Sequence, residues 1–169
     1  MPFAVTHVIL TIVALDIIRD YIIKDRKTFP LHYLFIGGVA GLLPDIDIPL
    51  FWLLDALGIS VSWFHRTFTH SLLFAFAFML VTVTLFLYSK KRKHWLLAAV
   101  ATFGVSFHLL LDGLLGGYIM LFYPFSTIGF GIDLAQYITM PAIWQGIDAL
   151  ILLVWLWDLD RRHNLRDYM

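Results

Sequence analysis

The chain has 169 residues, 60% hydrophobic, 17% aromatic and only 14% charged, with a mean hydropathy of +0.82. A soluble domain carries about a quarter of its residues charged, so this composition suits a lipid bilayer better than water. A net charge of zero leaves no basic excess to neutralise phosphates, which argues against a nucleic-acid binder. The absence of cysteine removes disulfides and thiolate metal sites.

A bilayer-spanning helix needs about 20 mostly apolar residues. Five stretches qualify: residues 3–23, 31–57, 70–88, 95–115 and 141–157. The expected fold class is therefore all-α, a polytopic membrane helical bundle of about five transmembrane helices forming one domain over residues 1–169. The N-terminus lacks a positive n-region and a small-residue cleavage site, so no removable signal peptide is expected. The first span runs on into Asp16–Lys24, where Asp20 and Lys24 stand four apart and suggest an amphipathic end at the interface. The second is interrupted by Gly-Leu-Leu-Pro-Asp-Ile-Asp-Ile-Pro, residues 41–49, and is expected to break at Pro44–Pro49. The third is entered through His-Arg-Thr-Phe-Thr-His-Ser-Leu-Leu, residues 65–73, with Thr67 or Thr69 as N-cap. The fourth ends in His-Leu-Leu-Leu-Asp, residues 108–112. A connection over residues 113–140, rich in glycine and aromatics and free of Lys and Arg, leads to the fifth.

Eleven of the twelve basic residues fall on one side of this topology: Arg19, Lys24, Arg26 and Lys27; Lys90 to Lys93; and Arg161, Arg162 and Arg166. The excess of Lys and Arg marks the cytoplasmic side, which puts the N-terminus out and the C-terminus in. Counting about 1.5 Å per helical residue from the nearest basic cluster, His7, Asp45, His70, His108 and Asp112 all lie roughly 18–30 Å from the cytoplasmic face. His32, His94 and His163 lie on the cytoplasmic side and read as interfacial or tail residues.

An ionisable residue at mid-span costs roughly 2.5–3.5 kcal/mol, so Asp45, Asp47 and Asp112 need compensation. A metal site returning about 10–16 kcal/mol is sufficient; a hydrated polar cavity is the cheaper alternative. His108 and Asp112, four apart, share a helix face and can offer one nitrogen and one oxygen donor. His65 and His70 add imidazoles and the broken span adds carboxylates, since irregular backbone at membrane depth must be covered by protein or line a cavity. Histidine and aspartate without cysteine suit Zn²⁺, with Mn²⁺ as the alternative. Six or seven such donors exceed the needs of one tetrahedral ion, so two metals about 3.5–4 Å apart are plausible, with an activated water as nucleophile. Arg66, the lone outer basic residue, could hold a phosphate bidentately. Asp148 is a further ligand candidate, Asp133 a weaker one. The aromatics Tyr118, Phe122, Tyr123, Phe125 and Phe130 read as a membrane belt or as access for acyl chains.

Thr6–His7, the Gly41–Asp47 motif, the His65–Leu73 motif, the His108–Asp112 motif and Tyr123–Pro124–Phe125–Ser126 together resemble the YdjM-like family, prokaryotic membrane-bound proteins described as metal-dependent hydrolases. The match in order and spacing runs from residue 6 to about residue 126. A more distant similarity is to zinc-dependent phospholipase C, an all-helical phosphoesterase with a three-zinc cluster. It implies His7, Asp45, His70, His108 and Asp112 as ligands, followed by Asp47 and His65; only Asp148 is available for the later ligands of those enzymes. The resemblance implies a prokaryotic inner-membrane protein with two or three zinc ions that hydrolyses a phosphoester of a membrane lipid. Asp47 would serve as ligand or as general base, and Arg66 would neutralise the phosphate. The rival readings are a metal-ion transporter and a non-enzymatic metal-binding membrane protein. Oligomeric state is left open.

Overall fold

The computed structural model describes residues 4–24, 27–59, 66–137 and 141–162. Six α-helices account for most of them: α1 (Ala4–Ile17), α2 (Leu31–Ala40), α3 (Asp47–Ala56), α4 (Leu72–Tyr88), α5 (Arg92–Leu111) and α6 (Pro141–Arg162). Among the described residues extended pairing is limited to an isolated antiparallel bridge between Ile119 and Phe130. The chain is all-α.

α5 is the central element and packs against α1, α2 and α4, while α6 lies on α1. The crossing of α2 with α5 depends on glycine. A Cβ on Gly104 would stand 2.2 Å from the Gly37 carbonyl oxygen and 2.9 Å from the Gly41 nitrogen. Close backbone approach of this kind is how helices associate where lipid removes the hydrophobic drive between them. On either side lie two apolar clusters. Ile12, Leu15, Leu34, Leu96 and Val100 join α1, α2 and α5; Ala75, Val105, Leu109 and Ile119 join α4, α5 and the loop after it. Thr82 and Thr102 add an interhelical hydrogen bond of 2.8 Å between α4 and α5.

The outward surfaces are apolar. α4 buries only Ala75 fully and exposes Phe76, Leu80, Val83, Phe86 and Leu87. Contiguous apolar faces of this extent call for an apolar surrounding. Arg92–Gly116, 25 residues, is long and apolar enough to cross a bilayer, and Leu31–Ala40 with Leu43–Ala56 qualifies as one broken span bent by 44°. The bend falls at the expected place. Pro44 sits inside a 3₁₀ turn, Leu43–Ile46, that separates α2 from α3.

Two helices end in π-helical turns that nothing in the sequence announces. Ile18–Ile23 extends α1 until Lys24 closes it in the left-handed region, its N–H donating to Arg19 O at 2.9 Å. The buried Arg19 donates to Phe29 O at 2.8 Å and to Asp20 at 3.0 Å, tying this end to the segment before α2. Asp112–Gly116 extends α5 in the same way.

The start of the third apolar helix differs from expectation. It begins at Leu72 rather than at residue 70, and its N-cap is Ser71, whose Oγ accepts from the Phe74 N–H at 3.4 Å; neither Thr67 nor Thr69 takes that position. Ser71 is extended (φ −103°, ψ 157°), and the Leu72 N–H is drawn to Leu121 O at 2.8 Å by the loop folding back over it. His70 consequently stands in the turn before the helix.

Candidate metal centre

Four segments deliver five polar side chains to one buried point. His7 comes from the first turn of α1 and Asp45 from the 3₁₀ turn. His70 comes from the turn before α4, and His108 and Asp112 from the junction of α5 with its π-helical end. His70 and His108 are fully buried, Asp112 is 1% and His7 2% exposed, and only Asp45, at 14% of its side chain, reaches the surface.

The donor atoms are close together. Asp112 Oδ1 lies 3.2 Å from His7 Nε2, while Asp112 Oδ2 lies 3.2 Å from His70 Nε2 and 3.6 Å from His108 Nε2. Asp45 Oδ1 lies 3.4 Å from His70 Nε2 and 3.8 Å from His108 Nε2. The two imidazole nitrogens are 3.4 Å apart. Four donors around a tetrahedral Zn²⁺ at about 2.0–2.1 Å are separated by roughly 3.3–3.4 Å. Five of the six separations among His70, His108, Asp45 and Asp112 run from 3.2 to 3.8 Å and include that edge length.

The charge balance points the same way. Asp45 Oδ1 and Asp112 Oδ2 are buried against imidazole nitrogens, which can satisfy them only when protonated. A buried carboxylate oxygen without a donor costs several kcal/mol, and a divalent cation between them meets both at once. Two overlapping groups have suitable donors, His7–His108–Asp112 and Asp45–His70–His108, the atoms of each within 4.8 Å of one another. Sharing His108, with Asp112 offering one oxygen to each side, the arrangement can hold a metal ion.

A family model described as YdjM inner membrane protein matches residues 1–165. The chain belongs to the YdjM inner membrane protein family. No curated protein and no solved structure matches it.

In this YdjM-family chain the other described candidates from the sequence stand outside the two donor groups. Asp47 is buried but lies outside both donor groups, its Oδ2 accepting from Thr69 Oγ1 at 3.1 Å. Thr69 Oγ1 is also 3.1 Å from His70 Nδ1. Arg66, held in the left-handed region (φ 63°), donates to Gly116 O at 2.6 Å. Its Nη2 and Asp112 Oδ1 both crowd Gly116, at 2.9 and 3.2 Å from where a Cβ would stand, so the guanidinium borders the cluster. Asp148 accepts from Thr6 Oγ1, next to His7, and ties α6 to α1 rather than joining the donors. Asp133 lies against Gly117. His65, Arg26, His163 and Arg166 fall outside the described residues. Two residues with no site role assigned in the sequence emerge, Thr69 and Gly116. Adjacency to His70 was the only signal for the first, and the second has none, because its role is to leave room.

Proposed function

We propose that this YdjM-family protein is a membrane-embedded, metal-dependent hydrolase acting on a phosphoester of a membrane lipid. The observation that carries the reading is the buried convergence of His70, His108, Asp45 and Asp112 at separations of 3.2 to 3.8 Å. These four residues would hold the principal ion, Zn²⁺ before Mn²⁺ by donor type. His7, against the second oxygen of Asp112, is placed to serve an adjacent ion. When bound, such an ion supplies Lewis acidity toward a phosphoryl oxygen and lowers the pKa of water to about 7.

The surroundings favour a lipid substrate. Asp45 lines an apolar cavity of about 520 Å³ whose other walls include Val39, Leu43, Pro49 and Trp52. A substrate reaching Asp45 by this route meets a carboxylate among hydrocarbon walls, as a headgroup attached to a chain would. Arg66, bordering Asp112 across Gly116, is near enough to the cluster to attract an anionic phosphate. The core between the cluster and Asp16–Arg19 is apolar, built from Ile12, Leu15, Leu34 and Val100. A closed site open on one side accords with that core better than a transport path does.

In the membrane we place five spans over one domain, N-terminus out and C-terminus in, with the site toward the outer face. The distribution of Lys and Arg supports this orientation. The test is to load purified protein with Zn²⁺ and incubate it with a panel of phospholipids and lipid phosphates. Headgroup or phosphate release that disappears in Asp45→Ala and His108→Ala is expected. No release from any lipid, or release unchanged in both variants, refutes the hydrolase. A preparation with no affinity for transition metals refutes the metal centre itself.

A further inference from the structure

We propose that Asp47 and Thr69 form a positioning relay that holds the His70 ring with its proton on Nδ1 and its Nε2 lone pair aimed into the metal centre. The inference rests on the metal-centre reading and assigns a task to a carboxylate that reading leaves idle.

Thr69 Oγ1 is 3.1 Å from both Asp47 Oδ2 and His70 Nδ1. A hydroxyl has one proton to give, a carboxylate oxygen can only accept, and a neutral imidazole carries one N–H. The proton of Thr69 goes to Asp47, so the Thr69 oxygen accepts, and the N–H it accepts from is Nδ1 of His70. The lone pair of the ring is then on Nε2, the atom that faces Asp112, Asp45 and His108 at 3.2, 3.4 and 3.4 Å. Lone pairs meeting carboxylate oxygens repel unless a cation lies between them. The opposite tautomer would put a proton there instead, satisfying the carboxylates and competing with the metal. The relay therefore favours the metal over the proton.

The geometry also explains the spacing of the two aspartates. The 3₁₀ turn Leu43–Ile46 leads directly into α3 at Asp47. Two residues apart, Asp45 meets His70 at Nε2 and Asp47 reaches Nδ1 through Thr69. One motif grips a single imidazole at both ends. Partners of metal-bound histidines on the far ring nitrogen fix tautomer and orientation, and losing one weakens metal affinity by about 10–100-fold.

The experiment uses the full-length protein in detergent, labelled with ¹⁵N-histidine, as wild type, Thr69→Val, Thr69→Ser and the double variant Asp47→Asn/Thr69→Val. Ring ¹⁵N shifts report the His70 tautomer in the metal-free protein, and titration against a chromophoric chelator gives the Zn²⁺ affinity. Thermal melting of the metal-free protein controls for folding. The expected results are Nδ1–H in wild type and Thr69→Ser, a loss of that preference in Thr69→Val, and Zn²⁺ binding about 10–100-fold weaker in Thr69→Val. The double variant is expected within about threefold of Thr69→Val, because Asp47 acts through the hydroxyl already removed. A neutral wild-type ring with its proton on Nε2, or a Thr69→Val protein with wild-type tautomer and affinity, overturns the relay. A wild type that takes up no Zn²⁺ overturns the metal centre instead, and the tautomer readings then decide the relay alone.

Discussion

Replacing Asp112 by asparagine removes a charge from the middle of the cluster while keeping the side-chain volume. Its two oxygens face three imidazoles, at 3.2, 3.2 and 3.6 Å, against two for Asp45. A four-donor zinc site binds with about 10–16 kcal/mol. Shared evenly, Asp112 contributes about 2.5–4 kcal/mol, or roughly 100- to 1,000-fold in affinity. Thermal unfolding reads this directly, because ligand binding to the folded state adds stability by mass action. At a free Zn²⁺ concentration 100 times its dissociation constant the wild type gains about 2.7 kcal/mol, while a variant weakened 100-fold gains about 0.4 kcal/mol. The assay is a melt of wild type and Asp112→Asn with and without buffered Zn²⁺, backed by a chelator competition. Equal stabilisation of the two proteins would refute the assignment of Asp112 as a donor.

Three further outcomes follow from the packing. Gly104→Ala is expected to destabilise by about 1–3 kcal/mol through overpacking, since its Cβ would stand 2.2 Å from Gly37 O. Gly146→Ala, a helix glycine with nothing within 4 Å, is expected to stabilise by about 0.5–1 kcal/mol; parallel melts compare the two. Gly116→Ala pushes on Arg66 Nη2 and Asp112 Oδ1, so weaker Zn²⁺ binding is expected in titration with the metal-free melt near wild type. Cysteines placed singly at Lys90 and Thr127, both exposed, are expected to react with an impermeant maleimide from opposite sides of the membrane. Same-side labelling would overturn the topology.

Much of the fold was legible because the signals were local. The apolar runs marked the helices, and Pro44 marked the break between α2 and α3. Helical periodicity put His108 beside Asp112, and the structure has them 3.6 Å apart. The π-helical ends were not legible, since a switch to wider hydrogen bonding at Ile18–Ile23 and Asp112–Gly116 leaves no compositional trace. Nor was the helix start at Leu72. Thr67, Thr69 and Ser71 are all competent caps, and the choice depended on Leu121 O, which is about fifty residues away in the chain but 2.8 Å from the Leu72 nitrogen.

The sequence by itself determined that this chain belongs with lipid, that its polar residues are few, and that His and Asp rather than Cys would answer any metal. Those properties follow from residue type and short-range period, which need no fold to be read. Only the tertiary structure divided the roles. Asp45 and Asp47 are chemically identical and two residues apart, yet one faces the histidine cluster and the other turns to Thr69. That division depends on the direction in which the 3₁₀ turn points Asp45 and the start of α3 points Asp47, and on what α5 and the turn before α4 have brought there.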